Sequence, residues 1–167
     1  MARTLQRMIA HMSTGDARSR FPAPAMERIA IAIAEGETRH AGEVCFAVEG
    51  ALAVGEVLRG VQPRARAEEA FGRLRVWDTA ANNGVLVYLL LADHRIEIVA
   101  DRGLAGLVSD EQWRGVCLLM EERLRAGEHV EAVVNGIRAA GDLLALHFPQ
   151  LPGDADEDEL PNTPVFL

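Results

Sequence analysis

Oxygen-bearing side chains around two glycine-containing turns are the part of this sequence best suited to chemistry. Asn82 and Asn83 precede Gly84, Asp101 and Arg102 precede Gly103, and Asp78 and Thr79 lie just upstream of the first group. If the chain between the two turns is a pair of strands, both turns fall at one end of a sheet, where Glu43 begins a further strand. Amide and carboxylate oxygens converging on glycine-bent backbone are the donor set that a hard cation such as Ca²⁺ accepts. The same residues also serve ordinary turns, which favour Asn, Asp and Gly, with Asp101 then paired to Arg102 or Arg75. The residues alone leave both readings open.

Other chemistries fail on context. All 17 basic residues are arginine, so there is no phosphate-loop lysine and no Schiff-base lysine. Cys117 and Arg123 have the spacing of a cysteine phosphatase signature. They lie, however, in a helical pattern (CLLMEER) whose amides are already bonded, not in a glycine-rich loop free to wrap phosphate. The histidines, at positions 11, 40, 94, 129 and 147, are scattered, and neither an H-E-x-x-H nor a thiolate pair gives zinc a site. Serine occurs at 13, 19 and 109 only, with no G-x-S-x-G, and Ser109 reads as a helix cap. Gly103-Leu104-Ala105-Gly106 is not a dinucleotide fingerprint.

The elements that must position these residues follow from periodicity. Leu5, Met8, Ile9 and Met12 form one apolar stripe of a short amphipathic helix, which docks on its own domain, on a partner or on an anionic membrane surface. Ser13 to Pro24 reads as a linker. Ile29, Ile31 and Ile33 alternate like a strand, but the length of the run around them favours a helix. GEVCFAVEG is a strand, Gly50 to Gly60 a loop, and a helix follows from Pro63. NNGVLVYLLLADHRIEIVADRG is an antiparallel hairpin turning at Ala92-Asp93-His94, its first arm central and covered on both faces, its second nearer an edge. Ser109 with Gln112 is a capping box that opens a helix ended by Gly127, and a last helix runs from about Glu128 to Phe148. The first strand crosses to the second through a helix, which makes the two parallel. The expected architecture is α/β, a three-layer α/β/α sandwich around a small mixed sheet.

Five of the eight net negative charges sit in the Pro-rich tail, at Asp154, Asp156, Glu157, Asp158 and Glu159, leaving a body near −3. Such a body has no electrostatic footprint for nucleic acid. No stretch reaches the ~18 apolar residues of a membrane span. The start lacks a secretory core, and Cys45 and Cys117 read as buried thiols, so a cytoplasmic location, with peripheral membrane contact as its variant, is expected. The chain divides into an N-terminal helix and linker over 1–24, one domain over 25–149, and an acidic tail over 150–167 expected to be disordered.

RVWDTAANNGVLVYLLLADHRIEIVADRGL, then DEQW, then GIRAAGDLLALHFP, resembles the TPM domain family, which includes thylakoid-lumen phosphatase-like and photosystem II repair factor-like proteins. The likeness spans about Ala25 to Pro149. Lacking an exported member's signal and C-terminal span, the chain is most similar to a soluble bacterial branch. The resemblance implies an α/β/α sandwich and binding of divalent cations, chiefly Ca²⁺, at the loops of one sheet end. The positions that match and supply oxygens are Asp78, Asn82, Asn83 and Asp101. It also implies either an accessory domain that docks a protein partner, membrane-associated in one variant, or a weak metal-assisted acid phosphatase. A membrane-peripheral scaffold acting through residues 1–12 is a third expectation.

Overall fold

Burial decides the isoleucine run. In a computed structural model, which describes residues 2–151 and 159–167, Ile29 and Ile33 are 0% and 1% exposed while Ile31 is 51% exposed. One buried residue every fourth position is a helical face, and the segment is α3, Ala23–Glu37, with Pro24 in its first turn. The strands are β1 (Glu43–Glu49), β2 (Gly84–Leu90), β3 (Arg95–Ala100) and β4 (Val165–Phe166), in the order β3-β2-β1-β4. β1 and β2 are parallel and in register from Glu43 opposite Gly84 to Glu49 opposite Leu90, and β3 returns antiparallel to β2. The expected hairpin, its central first arm and its edge second arm are all present.

Alternation along the strands builds two cores, one on each face. Val44, Phe46, Val48, Val85, Val87 and Leu89 point towards α3, α6 (Asp110–Arg125) and α7 (His129–His147). Cys45, Ala47, Leu86, Tyr88 and Leu90 point the other way, onto α5 (Pro63–Arg73) and α4 (Val54–Leu58), a short helix inside the segment expected to be a loop. The protein is therefore a mixed four-stranded sheet flanked by helices. Ser109 caps α6 as expected: its Oγ accepts from the Gln112 amide at 3.2 Å, and Gln112 Oε1 accepts from the Ser109 amide at 2.9 Å.

Two further segments differ from the sequence reading. The linker over 13–24 contains a short helix, α2 (Ala17–Arg20), and puts Ala17 and Phe21 into the core. Of the tail expected to be disordered, residues 152–158 lie outside the described residues, but its end is structured. β4 adds to the open edge of β1 in parallel, with Val165 opposite Ala47 and Phe166 opposite Val48. A β-branched and an aromatic residue there cover backbone groups that a bare edge would expose, and the Arg18 guanidinium sits 4.4 Å over the Phe166 ring.

The first helix, α1 (Ala2–Ser13), docks by its polar side more than by its apolar stripe. Met8 packs against the core, whereas Leu5, Ile9 and Met12 are exposed. The anchor is Asp93 in the β2–β3 turn, which accepts from Arg7 at 2.7–3.1 Å and from His11 Nε2 at 3.1 Å. His11 Nδ1 accepts from the Leu52 amide at 2.9 Å, which leaves Nε2 as the donor to Asp93. Burial by itself would raise the Asp93 carboxyl, but hydrogen bonds from Arg7 and His11 outweigh it and hold the group below the usual carboxylate range. A depressed folded value means that the stabilisation is complete above the unfolded pKa of about 3.9 and is lost as pH falls through the folded value. Hydrogen exchange of the α1 amides should therefore be slow and nearly constant from pH 8 to 5, after correction for intrinsic rates. Asp93→Ala should abolish that protection at neutral pH while leaving β1 and β2 protected; protection of α1 that survives the substitution rejects Asp93 as the anchor.

Candidate functional site

The sheet end formed by the starts of β1 and β2 and the end of β3 is stitched by backbone contacts. The Asp101 amide donates to Gly84 O at 2.9 Å, and the Gly103 amide donates to Asn82 O at 2.9 Å. Asn82 takes the left-handed conformation at φ 51°, which an Asn tolerates. A Cβ on Gly103 would stand 2.5 Å from the carbonyl oxygens of both Ala81 and Asn82, so only glycine lets the two turns approach this closely.

Of the expected residues, Asn82, Asn83 and Asp101 meet here with different roles. Asn83 is 1% exposed; its amide donates to Thr79 Oγ1 at 3.1 Å and its Nδ2 to Ala41 O at 2.6 Å. Its Oδ1 is buried with no hydrogen-bond partner among the described residues. Asp101 caps the 3₁₀ turn Arg102–Leu104 by accepting from the Arg102 amide at 2.7 Å through Oδ1, while Oδ2 is buried with no partner among the described residues. Asn82 Oδ1 is already engaged, accepting from Arg102 Nε at 2.8 Å. The arginine expected to pair with Asp101 through its guanidinium thus reaches Asn82 instead. Asp78 sits on the preceding turn with its side chain exposed, and no hydrogen bond among the described residues joins it to Asn83 or Asp101.

Two residues that the sequence placed at this sheet end, outside the expected donor set, contribute to it. Thr79 is buried beneath Asn83. Glu43, 4% exposed at the start of β1, accepts from the amides of Glu159 and Leu160 at 3.4 and 3.2 Å, and Glu159 Oε2 accepts from the Ala80 amide at 2.7 Å. The returning tail is therefore clasped onto this sheet end. Its one sequence signal was the Val-Phe-Leu terminus, a short strand-forming run after the acidic stretch.

Beside the site lies an open cavity of about 570 Å³, lined in part by Asp101, Arg102, Arg64, Trp113, Arg114 and Cys117. Its floor is the outer edge of β3, where Arg64 Nη1 donates to Ile98 O at 2.6 Å and the Ile98 amide faces the Cys117 sulfur. Burial, helped by the nearby Glu97, pushes the Cys117 thiol up to about 11. At neutral pH it is protonated and a poor nucleophile, which removes the cysteine phosphatase chemistry on a second ground.

The TPM domain model matches residues 23–143, most of the chain. The chain belongs to the TPM domain family. The match covers β1, β2 and β3 and the turns that carry Asn82, Asn83 and Asp101. The fold is also similar to the NMR structure of the BA42 protein from the psychrophilic bacterium Bizionia argentinensis, with a TM-score of 0.76 and 29% identity over 87% of this chain and 94% of that one. No curated protein matches the chain. In this TPM domain no helix among the described residues is long and apolar enough to cross a membrane. Nor do three or more His, Cys, Asp or Glu side chains among the described residues gather to hold a metal. A cation at the sheet end must draw on amide and main-chain oxygens as well as Asp101.

Proposed function

We propose that this TPM domain binds Ca²⁺ at the Asn83–Asp101 end of the sheet and acts as a non-catalytic accessory domain whose ordered loops dock a protein partner. The two unpartnered oxygens carry the proposal. Among the described residues, Asp101 Oδ2 and Asn83 Oδ1 are buried acceptors without donors, on residues that flank the same backbone link at Gly84. A buried acceptor left unsatisfied costs about 1–3 kcal/mol, which a bound cation offsets. Calcium, with six to eight oxygen ligands of flexible geometry, suits one carboxylate, an amide oxygen, carbonyls and water. Asn82 joins the set by exchanging Arg102 for the cation, and Asp78 from the turn before it.

An amide NMR titration of metal-stripped protein with CaCl₂, paired with a melting curve, tests this. At about 100 times its Kd, calcium should stabilise the fold by about 2.7 kcal/mol, with shifts centred on residues 78–83 and 101–103. Asp101→Asn keeps the shape but removes the charge, and should abolish the calcium-induced rise in Tm. A rise that survives it, or no shifts at millimolar calcium, overturns the site. Phosphate release that EDTA abolishes would replace the accessory role with metal-assisted phosphohydrolysis.

A second reading has its own observation. Leu5, Ile9 and Met12 on α1 are 56%, 58% and 70% exposed, and Val54 and Leu58 on the neighbouring α4 are exposed as well. An apolar face of this kind on an amphipathic helix suits peripheral attachment to an anionic membrane. The full chain should float with vesicles rich in phosphatidylserine, and Leu5→Ser with Ile9→Ser should sediment; equal flotation of the two ends this reading.

A further inference from the structure

At the opposite end of the β2–β3 hairpin, the N-terminal segment closes a second cavity of about 220 Å³. Leu89, Leu91 and Leu124 give it an apolar wall, while Arg20, His94 and His129 supply its polar groups. The wall is built, because α1 is anchored to Asp93, the residue before His94, by the Arg7 and His11 hydrogen bonds. No carboxylate lines the cavity among the described residues. Asp93 is turned onto Arg7 and His11, and Glu128, which precedes His129, pairs with Arg123 at 2.9 Å.

Arg20 Nη1 lies 2.5 Å from His129 Nε2. A guanidinium can only donate, so Nε2 accepts, the ring proton sits on Nδ1, and that donor is buried with no partner among the described residues. His129 is held below its ordinary value, first by burial and then by the charge of Arg20, so it is a neutral ring at pH 7. The cavity thus presents one permanent positive charge, with guanidinium N–H groups to spare beyond the one on His129, next to an apolar wall.

We propose that this cavity binds a small carboxylate with an apolar body. A planar monoanion matches one guanidinium in charge and shape, whereas a phosphate dianion needs a second positive charge that the neutral His129 withholds. Arg20 lies in the segment preceding the part of the chain matched by the TPM model, so the site is assembled by the N-terminal addition on the family domain. It is separate from the proposed cation site and does not depend on it.

Benzoate and inorganic phosphate, each titrated into the ¹⁵N-labelled full chain against sodium chloride at matched ionic strength, test the proposal. Benzoate should give saturable shifts at residues 13–14, 20, 92–94 and 129–131, with a Kd on the order of millimolar. The His129 ring should titrate at higher pH once benzoate is bound, because an adjacent anion favours the charged imidazole. Arg20→Gln should weaken binding about tenfold or more, and His94→Gln should lower the His129 response without unfolding the chain, since both side chains are exposed. Shifts no larger than those from chloride, or saturable binding unchanged in Arg20→Gln, overturn the site. Phosphate binding more tightly than benzoate overturns the carboxylate assignment.

Discussion

Arg66→Ala should cost about 3–5 kcal/mol of stability, the loss expected when one partner of a buried ion pair is removed and the other charge stays behind. Arg66 reaches from α5 to Glu49 at the end of β1, donating through Nε at 2.9 Å and Nη2 at 2.8 Å. Their side chains are 13% and 7% exposed. Tyr88, fully buried on β2, donates its hydroxyl to the same carboxylate at 2.7 Å, and burial followed by that hydrogen bond and the Glu49 charge pushes the phenol well above its usual range. Without Arg66, Glu49 would be an uncompensated carboxylate in the core beneath α5. Urea unfolding of Arg66→Ala should show the loss at unchanged m, while Tyr88→Phe should lose less, about 1.5–3 kcal/mol for a hydrogen bond to a charged group. Replacing both charges in the Tyr88→Phe background, as Glu49→Leu with Arg66→Met, should recover most of it, because the cost comes from the stranded charge and no buried hydroxyl is left without an acceptor. An Arg66→Ala loss below about 1 kcal/mol, or a combined variant worse than Arg66→Ala, would show that the pair is solvated rather than buried.

That network marks a boundary of what the sequence discloses. The hairpin at Asp93, the central position of β2 and the Ser109–Gln112 cap were legible because each rests on local periodicity or on side chains three residues apart. Glu49 and Arg66 are 17 residues apart with no motif between them, so their pairing exists only once β1 and α5 are packed. The same holds for α1. Its stripe of Leu5, Met8, Ile9 and Met12 was legible, but which side faces inward is set by Asp93, 82 residues from His11, and the outcome leaves most of the stripe in solvent. At the candidate site, spacing brought Asn82, Asn83 and Asp101 to one end of the sheet. It could not assign Arg102 to Asn82, nor leave Asn83 Oδ1 and Asp101 Oδ2 without donors, because these depend on side-chain direction across two turns. The clasp of the tail on Glu43 was out of reach for the same reason, the partners being more than a hundred residues apart.

Gly84→Ala should destabilise the fold by about 3 kcal/mol, the upper part of the range for forcing extra volume into a packed site. In the sequence, Asn83-Gly84 reads as turn punctuation, which implies that glycine is there for its backbone freedom. The structure gives another reason. The left-handed residue of this turn is Asn82, and Gly84 is already the first residue of β2. A Cβ there would collide with the carbonyl oxygen of Val76, itself buried in the turn after α5. Because the obstacle is main chain, the clash cannot be relieved by a rotamer change; either the start of β2 or the turn over 74–77 must move. Val76→Ala should therefore fail to rescue Gly84→Ala, even though Val76 Cγ1 lies only 3.1 Å from the added carbon. Rescue would mean that the side chain, not the carbonyl, dictates the glycine. The substitution also reaches the candidate site, since Gly84 O holds the Asp101 amide at 2.9 Å. A shift of β2 large enough to clear Val76 would draw Asp101 away from Asn83, so Gly84→Ala that folds should show no calcium-induced rise in Tm, as Asp101→Asn should, but through position rather than charge.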